Sequence, residues 1–131
     1  MSVQVELKRI IITENSDQQV IYLKELTGER AFPIVIGNNE AFAIDRRLKG
    51  QPTPRPQTHE LLASVIERLE GKLERIVIND LQDHTFYARL VIRHGGKMVE
   101  VDCRPSDAIA LGIAGNVPIF VAEHVMDEVG A

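Results

Sequence analysis

An α+β fold with a mixed, mainly antiparallel sheet packed by helices is what this chain of 131 residues predicts. Three observations carry it. Val3, Val5 and Leu7 alternate with Gln4, Glu6 and Lys8, the period of a half-buried strand. Gly95-Gly96 joins two further alternating runs, as a tight hairpin with positive φ requires. Helix signals then fall between runs of strands, without the strand–helix alternation of a doubly wound sheet.

A second strand follows the turn-prone Asn15, Ser16 and Asp17, over Gln19 to Leu26. The unbroken apolar run from Ala31 to Ile36 reads as a strand buried on both faces. Gly37 and Asn38 stop it and cap a helix that carries Ala41, Ile44 and Leu48 on one side and ends by Gly50. Residues 50–57, GQPTPRPQ, hold three prolines and form a surface loop. Thr58 caps the next helix. Its stripe of Leu61, Leu62, Val65, Ile66 and Leu69 is expected to face the core, with His59, Glu60, Glu67 and Arg68 outward.

After Gly71, strands are expected at Leu73–Leu81, Thr85–Arg93 and Lys97–Cys103. Pro105 suits the first position of a helix because it gives up an N–H that would be orphaned there, and Ala108, Ala110 and Gly112 let that helix approach a sheet closely. Val117 to Ala122 reads as a last strand, and His124 to Val129 as a terminal helical turn.

The length suits one core, so residues 1–131 are read as a single domain. No apolar stretch is long enough to span a bilayer, and the charges in VQVELKR break any signal-peptide core, which points to the cytoplasm. A lone cysteine, Cys103, permits no internal disulfide and reads as a small core residue. The net charge of -4 argues against tight nonspecific nucleic-acid binding. Yet Arg46, Arg47, Lys49 and Arg55 lie between residues 46 and 55 with no acid among them, either a solvated face or a phosphate-contacting surface. With no tryptophan, a base-stacking platform is not expected.

The stretch Val99–Leu111 delivers Asp102, Arg104, Ser106 and Asp107 into the first turn of a helix. Such a cluster either caps the helix or binds an anion through free N–H groups. Arg104 offers a planar fork for phosphate, or a pair with Asp102 or Glu100. His59 beside Glu60, in the first turn of its own helix, and His84 in the DHT turn have side chains able to move a proton near neutral pH. Asp80, Asp83, Asp102 and Asp107 lie near strand ends. Asp80 and Asp102 would share a Mg²⁺ or Mn²⁺ ion if their strands run side by side. Glu40, in a first turn, complements the helix dipole. P-loop, dinucleotide and G-x-S-x-G signatures are absent.

Four blocks, PIVIGNNEAFAI (residues 33–44), THELL (58–62), DLQDHTFYARL (80–90) and VEVDCRPSDAIAL (99–111), resemble in sequence and order the bifunctional nuclease domain family. The resemblance covers nearly the whole chain. It implies a compact domain associated with cleavage of both RNA and DNA, without supplying a catalytic constellation. The chain departs from the family pattern after its last long helix, where Gly112-Ile113-Ala114-Gly115 stands in place of an Ala-x-Arg pattern.

The leading expectation is a phosphodiester hydrolase of low sequence preference, with RNA or DNA as partner. His59, Glu60 and Asp107 are its catalytic candidates; Arg104, Ser106, Arg46, Arg47 and Arg55 hold substrate; and Asp80 and Asp102 hold metal. Arg104, Ser106 and Asp107 should then meet His59 and Glu60 around one polar concavity. The alternative is a noncatalytic oligomeric module whose helix starts hold an anion or a protein. Sheet edges and apolar helix faces to cover make a homo-oligomer the expected assembly under either reading.

Overall fold

The computed structural model describes residues 1–130. Seven strands and four helices follow in the order β1 (Ser2–Ile11), β2 (Gln18–Glu25), β3 (Ala31–Gly37), α1 (Asn38–Leu48), α2 (Thr58–Arg68), β4 (Gly71–Gln82), β5 (Thr85–His94), β6 (Lys97–Cys103), α3 (Pro105–Gly112), β7 (Ile119–Ala122) and α4 (Glu123–Val129). All strands join one sheet, ordered β3-β2-β1-β7-β4-β5-β6. Every pairing is antiparallel except that of β4 with β7. The α+β class expected from the patterning is the observed one.

Two three-stranded meanders, β1-β2-β3 and β4-β5-β6, are stitched together by β7, which runs antiparallel to β1 and parallel to β4. The sheet curls strongly. Flat, β3 and β5 would lie roughly 24 Å apart across the four strands between them, yet Phe32 and Phe86 stack with ring centroids 5.6 Å apart. Inside this curl one cluster joins Ile21, Leu23, Phe32, Ile76, Ile78 and Val121 to Ile44 of α1, Ile109 of α3 and Met126 of α4. The β5–β6 turn places Gly95 at φ 57° and Gly96 at φ 77°, as the dipeptide foretold. Asp83 and His84 make the same kind of turn between β4 and β5 at φ 50° and 66°, a conformation Asp and His tolerate better than most residues.

Three local expectations are corrected. β3 is an edge strand buried on one face only, with Phe32, Ile34 and Ile36 inward and Val35 exposed, which is how Pro33, lacking an N–H, is accommodated. Ala41 and Ile44 of α1 are buried as expected, but Ala43 joins them in place of Leu48, which is exposed. The apolar stripe of α2 does not cover the core: Leu61, Leu62, Val65 and Leu69 are exposed and His59 is the buried residue, while Glu67 and Arg68 face outward as expected. Only Ala63 and Ile66 of α2 pack, half-buried, against the core.

The caps differ as well. Gln57, not Thr58, precedes the first turn of α2, and its N–H donates to Glu60 Oε1 at 2.9 Å. At α1 the Asn38 side chain is taken by the buried Gln19, whose Nε2 donates to Asn38 Oδ1 at 2.8 Å. Gln19 also bonds Thr13 and Ser16, so one side chain fixes the β1–β2 loop against the start of α1.

Candidate functional site

The first turns of α1, α2 and α3 meet. Asn39 and Glu40, then Thr58 and His59, then Asp107 with the preceding Arg104, line one cleft of about 810 Å³. Phe42, Leu62, Leu90 and Val101 add an apolar wall, and Arg46 and Asp102 add two more charged side chains. Three helix N-termini bring unpaired N–H groups and the positive ends of three dipoles to one place. Sequence reasoning found two of them; Glu40 carried the signal for the third, but only a tertiary contact puts α1 beside α3.

Asp107 sits at the centre of the polar wall. Its Oδ1 lies 3.1 Å from His59 Nε2, and its Oδ2 accepts from Arg104 Nε at 2.9 Å. Arg104 Nη2 reaches Asp107 at 2.8 Å and Glu40 at 3.5 Å. The hydrogen bond that Arg104 donates to Asp107, with the charges of Asp107 and Glu40, holds the guanidinium more firmly protonated than usual. Even so the Arg104 side chain remains 64% exposed, so its outer face is open to a ligand. His59 is buried, which fixes its ring and leaves Nδ1 as the nitrogen free of Asp107.

Glu60 does not join this wall. It turns toward α1, where it accepts from Arg47 Nη1 at 2.9 Å and lies 3.4 Å from Arg46 Nη2. Partial burial opposes its charged form, but the Arg47 hydrogen bond, the Gln57 N–H and the charge of Arg46 outweigh that and hold its carboxyl below the usual range. Arg47 Nη2 also donates to the carbonyl of Leu111 at 2.9 Å, near the C-terminus of α3. A cation at that helix end is therefore supplied from α1, with Gly112 at its end, where a Cβ would stand 3.0 Å from side-chain atoms of Ile76 and Val117 that would have to shift. Arg46 lines the cleft, and the Nε atoms of both Arg46 and Arg47 are buried without a hydrogen-bond partner.

The other expected site residues are dispersed. Ser106 is buried and does not line the cleft. Arg55 is exposed in the proline loop, away from the cleft lining. Asp80 and Asp102 do not come together: they lie on β4 and β6 with β5 between them, in pairs with Tyr87 and Arg89 respectively. Asp80 instead accepts from the Leu81 N–H at 2.8 Å and from Gln82 at 2.7 Å and faces His124 at 3.4 Å, contacts that lower its pKa. Asp102 lines the cleft without Asp80. Among the described residues no three His, Cys, Asp or Glu side chains gather as a metal centre. His84 occupies a hairpin tip outside the cleft lining. Cys103, half-buried in the cleft floor, has its thiol pushed up to about 11 by burial and by the charges of Asp102 and Asp107, so it stays protonated near neutrality. No helix among the described residues is long and apolar enough to cross a membrane.

Comparison with known proteins agrees with the resemblance read from the four blocks. The bifunctional nuclease domain model matches residues 20–131. An uncharacterised protein of Mycobacterium tuberculosis is 38% identical over 127 residues, 97% of this chain and 76% of that protein. Bifunctional nuclease 1 of Oryza sativa subsp. japonica and a bifunctional nuclease of Oryza minuta are each 23% identical over 118 residues, 87% of this chain but 36% of the rice proteins. With the family model matching most of its length, the chain belongs to the bifunctional nuclease domain family.

Proposed function

We propose that the cleft at the three helix starts binds the phosphodiester backbone of RNA and DNA and hydrolyses it with little sequence preference. The observation that carries this reading is the His59–Asp107–Arg104 chain of hydrogen bonds, which sets a proton-transfer group beside a guanidinium that is still largely exposed. In this reading Asp107 positions His59, and His59 Nδ1 takes the proton from the attacking water as the new phosphorus–oxygen bond forms. Arg104 and the helix N–H groups stabilise charge on the phosphoryl oxygens. The leaving oxygen takes a proton from solvent water as its bond to phosphorus breaks, and His59 then releases its own to solvent. Arg46, which lines the cleft, extends the anion contact along it, and Arg55 adds a screened contact from the loop. Glu60 and Arg47 act at one remove, by fixing α1 against α2.

A divalent cation, Mg²⁺ or Mn²⁺, would find oxygen ligands at Asp107 and Glu40, in place of the Arg104 guanidinium that now bridges them. A cytoplasmic setting fits the single, reduced Cys103. A second reading, a noncatalytic module holding an anion or a protein, is favoured by one observation: Asp107 and Glu40 are already satisfied by Arg104. The purified chain, incubated with labelled single-stranded RNA and DNA with and without Mg²⁺ or Mn²⁺, separates the two. Cleavage that disappears in His59→Gln supports the hydrolase, whereas binding without cleavage in any condition supports the module.

A further inference from the structure

Phe42 is an aromatic ring left half in water among charged groups. It lies on α1, 50% exposed, and lines the cleft with Leu62 and Val101, which are 38% and 41% exposed. The core takes Ala41, Ala43 and Ile44 from the same helix and leaves this ring out. Asn39, Phe42 and Arg46 all line the cleft and follow one another at intervals of three and four, so they run along one face of α1. Arg104 reaches Glu40, at the start of that helix, at 3.5 Å, and Arg46 stands six residues beyond Glu40, a rise of about 9 Å. In order along the helix, the ring thus stands between two cations.

We propose that Phe42, backed by Leu62 and Val101, holds one unstacked base of a strand whose phosphates meet Arg104 and Arg46, so that the cleft takes single-stranded nucleic acid in preference to duplex. This rests on the phosphodiester reading of the cleft and adds to it the state of the strand. A base has a flat apolar face that matches the ring, and joining them removes both faces from water. The base of a single strand reaches the ring freely, whereas that of a duplex must first be unpaired and unstacked. Every base has such a face, so one stacking ring selects for an unpaired base without selecting a sequence. The chain has no tryptophan from which to build a wider platform, and a single ring carries the contact. The cleft, of about 810 Å³, has room for a nucleotide and its flanking phosphates.

Fluorescence-anisotropy titrations of the intact chain without divalent metal test this, with three labelled probes of equal charge: a short single strand, a hairpin duplex and an abasic strand. The wild type should bind the single strand about 10-fold more tightly than either of the others, a margin read without any variant. Phe42→Ala should abolish that margin, and Phe42→Tyr should keep it, with circular dichroism unchanged because the ring is half-exposed. Equal affinity of the wild type and Phe42→Ala for the single strand overturns the proposal. So does an equal loss on the abasic strand, which would mean that the ring only shapes α1, and so does a duplex bound as tightly as the single strand. Failure of the hydrolase reading looks different: the Phe42-dependent margin persists while no probe is cleaved with or without Mg²⁺ or Mn²⁺. A chain that binds none of the three probes overturns both.

Discussion

His59 and Asp107 stand 48 positions apart in the chain, yet the imidazole Nε2 lies 3.1 Å from the carboxylate Oδ1. Each belongs to the first turn of its helix, so the contact fixes the start of α2 against the start of α3 and orients the one buried histidine of the cleft. A proton-transfer group is useful only when its ring is held, and burial with a carboxylate partner does that here.

On the proposed hydrolase reading, His59→Gln should reduce cleavage of RNA and DNA by about 10² to 10⁴, the usual worth of a general acid–base group, while binding changes little. Gel-based cleavage and fluorescence-anisotropy titrations measure the two separately. Asp107→Asn should lower cleavage in the same direction. Full activity in His59→Gln would remove the histidine from the mechanism.

Arg104→Ala should weaken nucleic-acid binding by about 1.5 to 3 kcal/mol, the value of a charge-assisted hydrogen bond, without lowering the melting temperature, because this side chain is largely exposed. The comparison is Arg55→Ala in the proline loop, which should chiefly flatten the salt dependence of binding. A fall in melting temperature with unchanged binding would make Arg104 a structural clamp on Asp107 and Glu40.

Glu60 sets an acid-side dependence of stability. Its folded pKa lies below the ordinary 4.5, so its stabilising effect is fully present above that pH and is lost as pH falls through the lower folded value. Glu60→Gln should cost about 1 kcal/mol at neutral pH and much less at the acid end. Urea titrations at several pH values check the slope; a constant difference between the two proteins would show that Glu60 acts through shape alone.

Arg47 joins α1 to Glu60 of α2 and to the Leu111 carbonyl of α3, with its side chain 12% exposed. Arg47→Met keeps the apolar stem but removes both contacts, and should destabilise the fold by about 2 kcal/mol. Thermal unfolding measures this directly. An unchanged midpoint would mean that water replaces the guanidinium without loss.

The sequence by itself determined the element order, the α+β class, the Gly95-Gly96 hairpin and the family, because strand and helix periods, turn residues and four long blocks are local properties. It also placed His59, Arg104 and Asp107 at helix starts, where their convergence was legible as an expectation. Only the tertiary structure decided which face of α2 is covered. Ala63, Ile66 and His59 meet the sheet and α3, so the richer apolar stripe is left outside, a choice that depends on which side of the helix its neighbours occupy. It likewise decided that β5 separates Asp80 from Asp102, that Glu60 belongs to Arg47, and that Ser106 is buried. The deepest such decision is β7, whose four residues pair with β1 and β4 and so join the two meanders. Strand pairing uses backbone groups that every residue carries, and its partners are chosen by the curl of the whole sheet.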